Sequence, residues 1–129
     1  MHKKLYVLDD DVQFADLLAE VACERGWDVI RENDALKFVN DGIPMEGVLI
    51  LDLIMPDKDG IEIIQEIATL GSRLELVLVS GFDQLILQSA EHLAKAHNIH
   101  VHANIEKPFD LTKLRQLLDG IEQTHGSDN

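Results

Sequence analysis

The run Val48–Gly60, V-L-I-L-D-L-I-M-P-D-K-D-G, constrains what this chain can fold into more than any other stretch. Four apolar residues, Val48 to Leu51, end in one carboxylate, Asp52. Met55-Pro56 and Asp57–Gly60 then force a loop, because proline lacks an N–H donor and glycine tolerates a positive φ. A short apolar run bounded by turn signals reads as a strand buried on both faces. Such a strand carries Asp52 to its carboxyl end, where open α/β sheets place their ligands.

The rest of the chain repeats that unit. Leu5–Leu8 is an apolar run ending in Asp9-Asp10-Asp11, and Phe14, Leu17, Leu18, Val21 and Ala22 follow at helical spacing, with Asp10 or Asp11 as the cap. Gly26 closes that helix and Trp27–Ile30 reads as a second strand. Asn33 is expected to cap a short helix from Asp34 to about Val39. Gly60 opens a helix carrying Ile61, Ile64 and Ile67, which ends near Gly71. Leu74–Val79 is a fourth strand ending in Ser80-Gly81, and a helix from Asp83 to about His97 shows a wide apolar face that includes Leu85 and Leu87. A fifth strand, His100–Ile105, alternates His100, His102 and Asn104 against Val101, Ala103 and Ile105. The loop Glu106–Phe109 leads to a last helix capped by Asp110. Five strands alternating with five helices predict a doubly wound α/β fold, a parallel sheet covered on both faces with right-handed crossovers. One domain over 1–122 and a polar tail over 123–129 are expected.

Composition narrows the function classes. With 129 residues the chain can bury roughly two-thirds of its unfolded surface. A net charge of −13 argues against direct nucleic-acid binding and against anionic membranes. No segment is long enough to span a bilayer, no signal peptide is evident, and one cysteine, Cys23, fits a reducing cytoplasm. Cys23 is expected to be a small packed residue of the first helix.

In a doubly wound sheet the carboxyl ends of the strands share one edge. There the first strand delivers Asp9 and Asp10, the third Asp52, the fourth Ser80 and the fifth Lys107. Three carboxylates crowded together repel unless a cation sits among them, and hard oxygen ligands completed by water and a carbonyl suit Mg²⁺. A hydroxyl from Ser80 and a point charge from Lys107 suit a phosphoryl group.

Asp9-Asp10, Asp52 with Met55-Pro56 and Gly60, Ser80-Gly81 and Lys107-Pro108-Phe109, in this order and spacing, resemble the receiver domain of two-component response regulators. The resemblance runs from about Lys4 to Leu118 and implies the chemotaxis-type flavodoxin-like fold with strand order 2-1-3-4-5. It implies that Asp52 accepts a phosphoryl group from a sensor histidine kinase or phosphotransfer protein. It further implies that Asp9, Asp10, Asp52 and the Ile54 carbonyl gather Mg²⁺ or Mn²⁺, that Ser80 bonds the phosphoryl group and that Lys107 pairs with it. A cis Lys107-Pro108 bond is also implied. The output would be a downstream protein effector, or a homodimer, meeting the face of the fourth helix, fifth strand and fifth helix. Such a protein is a phospho-accepting switch, not an enzyme with its own substrate, whose phosphorylation and dephosphorylation are self-catalysed. The stretch Ser80–Ile99 is similar to receivers that precede EAL-type cyclic-di-GMP phosphodiesterase domains, which suggests kinship rather than that activity.

The chain departs from the family pattern at Asn104, which stands where an aromatic switch residue is usual, three positions before Lys107. Phe82 is a steric substitute to consider. Ile54 and Phe82 occupy the positions that in the family line access to the phosphoryl group, and two apolar side chains there would slow water attack. The clustered His92, His97, His100 and His102 invite a metal reading, but His92 and His97 lie about 140° apart on a helix, and His100 and His102, which share a strand face, are read as solvated or partner-facing. Trp27 is expected as partly buried strand structure. The rival reading is a haloacid-dehalogenase-like phosphatase, with Asp9 as nucleophile and Asp11 as general acid. Against it, Gln13 replaces the expected Thr or Val, no acidic pair follows the lysine, and Asp52 has no role. A flavodoxin-like FMN binder is weaker, since the first loop lacks phosphate-cradling Ser, Thr or Gly.

Overall fold

A computed structural model describes residues 3–81 and 83–126, with side chains described through residue 121. Strands β1 (Lys4–Leu8), β2 (Asp28–Glu32), β3 (Val48–Asp52), β4 (Glu75–Ser80) and β5 (Val101–Glu106) alternate with helices α1 (Val12–Glu24), α2 (Ala35–Asn40), α3 (Gly60–Leu70), α4 (Gln84–Ala96) and α5 (Leu111–Gly126). All pairings are parallel, in the order β2-β1-β3-β4-β5. Central β3 is buried at every position, which is why its sequence is uninterrupted apolar up to Asp52.

The sheet separates two apolar layers. Leu49 and Leu51 point into one with Ile63, Ile64, Ile67, Leu76 and Leu78. Val48 and Ile50 point into the other with Leu18, Trp27, Val77, Leu114 and Leu118. Each fully buried Leu or Ile stabilises the fold by about 1.5–3 kcal/mol. Acidic caps start the helices: Asp11 accepts from the Phe14 N–H, Asp59 from Glu62, Asp83 from Ile86 and Asp110 from Lys113.

Local details differ from the sequence expectation. The second short helix is capped by Asp34, not Asn33; its carboxylate accepts from the N–H groups of Leu36 and Lys37. Trp27 precedes β2 instead of lying in it and is 5% exposed, because its N–H bonds the Ala22 carbonyl and folds the ring into the core. Cys23 is exposed rather than packed, as are Leu17 and Leu85 on the outer faces of their helices. The last helix continues to Gly126, so residues 123–126 extend it instead of forming a tail; residues 127–129 and Phe82 lie outside the described residues. In the loop after β3 the positive φ falls on Asp57 (70°) and not on Gly60. Gly60 serves close approach: a Cβ there would sit 2.7 Å from both Cα and Cδ2 of Leu53. No described helix is long and apolar enough to cross a membrane.

Candidate functional site

The strand ends bring together most of the residues singled out in the sequence. Ligand oxygens of Asp9, Asp10 and Asp52 lie within 4.8 Å of one another, with Asp9 and Asp52 buried and Asp10 exposed. Asp9 follows β1, and its Oδ1 accepts the Asp11 N–H at 2.9 Å. Asp52 closes β3, and its Oδ1 accepts the Ile54 N–H at 3.1 Å, which fixes the carboxylate and the start of the loop together. The Lys107 Nζ reaches in from beyond β5, 3.0 Å from Asp9 Oδ2 and 3.8 Å from Asp52 Oδ2. It contacts Asp9 Oδ2 as an ion pair, while its hydrogen bond runs to Oδ1 at 3.2 Å.

One ammonium beside two buried acids leaves the charge unbalanced. Burial first, and the neighbouring Asp9 charge second, push the Asp52 carboxyl from its ordinary 3.8 up to about 8, against the opposing pull of the Ile54 N–H and Lys107. Three converging carboxylates are a hard oxygen donor set that fits Mg²⁺.

Ser80 ends β4, one residue past the Val79 that pairs with Asp52. Its carbonyl accepts the Lys107 N–H at 2.7 Å, tying the two strand ends together. Its Oγ is buried without a hydrogen-bond partner among the described residues. A buried hydroxyl in that state is destabilising on its own and favours an incoming acceptor. The Lys107-Pro108 bond is cis.

Sequence reasoning overlooked the aromatic seat of the lysine. The Phe14 ring lies 4.3 Å from Lys107 Nζ, in cation–π range, and packs edge-on against Phe109 with centroids 4.9 Å apart. The available signal was Phe14 in the first turn of the helix that follows the acids.

Other residues stand apart. Asn104 is exposed, outside the acidic cluster, and its side-chain amide donates to Glu91 on α4. The Ile54 side chain is 52% exposed beside the site. Asp11 is an exposed helix cap, so it is not placed as the general acid of a phosphatase.

Comparison with known proteins agrees with this geometry. The family model for the response regulator receiver domain matches residues 5–119. The chain is similar to the transcriptional regulatory protein FixJ of Azorhizobium caulinodans, at 26% identity over 82% of this chain and 48% of that protein. It is also similar to the sporulation initiation phosphotransferase F of Bacillus subtilis, at 26% identity over 89% of this chain and 90% of that protein. It thus spans about half of the first relative and nearly all of the second. Among solved structures, a response regulator from Colwellia psychrerythraea superposes with a TM-score of 0.83 at 30% identity, covering 96% of this chain and 99% of that one. These matches remove the phosphatase alternative: the chain belongs to the response regulator receiver domain family.

Proposed function

We propose that Asp52 is the phosphoacceptor of this receiver, taking a phosphoryl group from a phosphohistidine donor on a sensor kinase or phosphotransfer protein. The observation that carries this reading is the pairing of one lysine with two buried acids at the strand ends, 3.0 Å from Asp9 and 3.8 Å from Asp52. In the transfer an Asp52 oxygen forms a bond to phosphorus as the phosphorus–nitrogen bond of the donor breaks. The departing imidazole keeps the electron pair and takes a proton from water. Asp52 must be ionised to attack, yet without further positive charge its carboxyl holds a proton up to about pH 8. Asp9, Asp10, Asp52 and the Ile54 carbonyl would hold Mg²⁺ or Mn²⁺, which when bound supplies the charge that ionises Asp52 and offsets the phosphoryl oxygens.

Lys107 pairs with one phosphoryl oxygen while Phe14 and Phe109 keep its ammonium in place. Ser80 donates its Oγ–H to another oxygen, satisfying the hydroxyl that otherwise lacks a partner. The exposed Ile54 side chain screens the acyl phosphate from water. The signal leaves through the α4–β5–α5 face to a cytoplasmic protein effector or a second copy. Asn104 on β5 and Glu91 on α4 form the polar contact of that face, in place of an aromatic switch.

Intact-mass measurement after incubation with Mg²⁺ and a small acyl-phosphate donor tests the reading, with Asp52→Ala as control. One phosphoryl group on the wild type and none on the variant supports it. An adduct retained by Asp52→Ala, or no adduct on a folded wild type that binds Mg²⁺, overturns it.

A further inference from the structure

The opposite end of the same two strands carries a second convergence of donor atoms. Among the described residues two groups bring three potential ligands within 4.8 Å: the acidic cluster, and Glu75 with His100 and His102. We propose that Glu75, His100 and His102 form a separate site for a borderline transition metal ion, Zn²⁺ in the first instance.

The local sequence explains the convergence. His100 immediately precedes β5 and His102 is its second residue, so the two lie close together where that strand begins. Parallel pairing brings the start of β4 alongside, with the Leu76 N–H donating to the His100 carbonyl at 2.8 Å. Between Leu76 and Val77 the register shifts: Leu76 pairs with Val101 and Val77 with Ala103, so β5 carries one more residue, His102, than β4 across this step. A register shift interrupts the regular alternation of side chains along a strand. Here the His102 side chain is only 6% exposed, where the sequence reading expected a solvated or partner-facing histidine, and its Nε2 lies 2.5 Å from Glu75 Oε1. The His100 ring stands perpendicular to the His102 ring, with centroids 4.4 Å apart.

These separations fit a metal. Ligand atoms of a tetrahedral zinc ion, at about 2.0–2.2 Å from it, lie roughly 3.4 Å from one another. The donors span 2.5 Å to at most 4.8 Å, so shifts on the order of 1 Å, within the freedom of χ rotation, bring all three into the shell. His102 is held by burial, whereas the Glu75 side chain is 31% exposed and His100 is exposed, so the two that must adjust are the two able to. His100 and His102 also line a groove of about 760 Å³ that gives an ion and a fourth, water ligand access.

The chemistry separates the two ends of the sheet. Two imidazoles and one carboxylate suit Zn²⁺, while an all-oxygen cluster suits Mg²⁺. Isothermal titration of the full chain with ZnCl₂, in Mg²⁺ excess that fills the acidic cluster, tests the proposal. The expected result is one Zn²⁺ per chain, weakened at least about tenfold by His100→Ala and by Glu75→Gln, and changed less than about twofold by Asp52→Asn. His100 is exposed, so His100→Ala keeps its fold and accepts phosphoryl groups as the wild type does, which separates this site from the function of Asp52. Cobalt substitution gives the visible absorption of a four-coordinate ion in the wild type and loses it in His100→Ala. Absence of Zn²⁺ binding, binding unchanged in His100→Ala, or binding lost only in Asp52→Asn overturns the proposal.

Discussion

Replacing Asp52 by Asn is expected to stabilise the metal-free protein, and by an amount that grows with pH. The Asp52 carboxyl is held at about 8 in the folded chain against 3.8 ordinarily, chiefly through burial. Below about pH 4 the group is protonated whether the chain is folded or not, so its ionisation contributes nothing to the difference. Between about pH 4 and 8 the unfolded chain ionises while the folded one keeps its proton, and the folded state loses up to about 1.4 kcal/mol per pH unit. Above about 8 the full penalty is present. The whole interval sets a ceiling of about 6 kcal/mol, and because Asp9 shares the buried charge we expect about half, roughly 3 kcal/mol, at pH 8. Asparagine keeps an oxygen for the Ile54 N–H, so the substitution removes charge and little else. Urea unfolding of both proteins in EDTA, at pH 4, 6, 7 and 8, gives the gap directly. Saturating Mg²⁺ should narrow it at pH 8, since the wild type alone regains its counter-ion. A gap equal at pH 4 and 8, or an Asn variant less stable than the wild type at pH 8, would refute the reasoning.

Other perturbations address separate parts of the site. Lys107→Ala leaves Asp9 buried without its ion-pair partner and should destabilise the metal-free protein by about 3 kcal/mol by urea unfolding, while abolishing stable Asp52 labelling on a phosphate-affinity gel. Phe14→Leu retains bulk but removes the ring face under the ammonium, for an expected loss of about 0.5–1 kcal/mol. Gly60→Ala forces a methyl to 2.7 Å from the Leu53 backbone, and should lower stability by about 1–3 kcal/mol, read from the urea midpoint. Ile54→Asn should accelerate loss of the phosphoryl group by bringing water to it; a dephosphorylation time course indistinguishable from wild type would remove Ile54 from that role.

The strand ends were readable because burial on two faces leaves a plain mark: apolar runs that stop at Asp9, Asp52 and Ser80. Once the order of strands and helices is known, the parallel sheet fixes which ends meet, so the acidic cluster and Lys107 follow from sequence. The choice of Asp34 over Asn33 as cap was not readable, since either side chain can accept the same N–H. Nor was the seat of Lys107 on Phe14, which depends on how α1 leans over the strand ends. The burial of the His102 side chain was hidden by the register shift between β4 and β5, which simple alternation does not anticipate. Leu85 and Cys23 show the reverse case, where apolar character in a helix exceeded the width of the face that is covered.

The sheet that separates the two apolar layers also partitions the protein's tolerance to change. Leu49 and Leu51 answer to α3 and α4, whereas Val48 and Ile50 answer to α1 and α5, although all four are neighbours in sequence. Layers about 10 Å to either side of a sheet share few contacts, so core substitutions in them should add in free energy rather than compensate. Each layer can therefore drift without repair in the other. The helices beneath the lysine seat and those on the far side of the sheet are free to diversify independently, while the strand ends between them stay where they are.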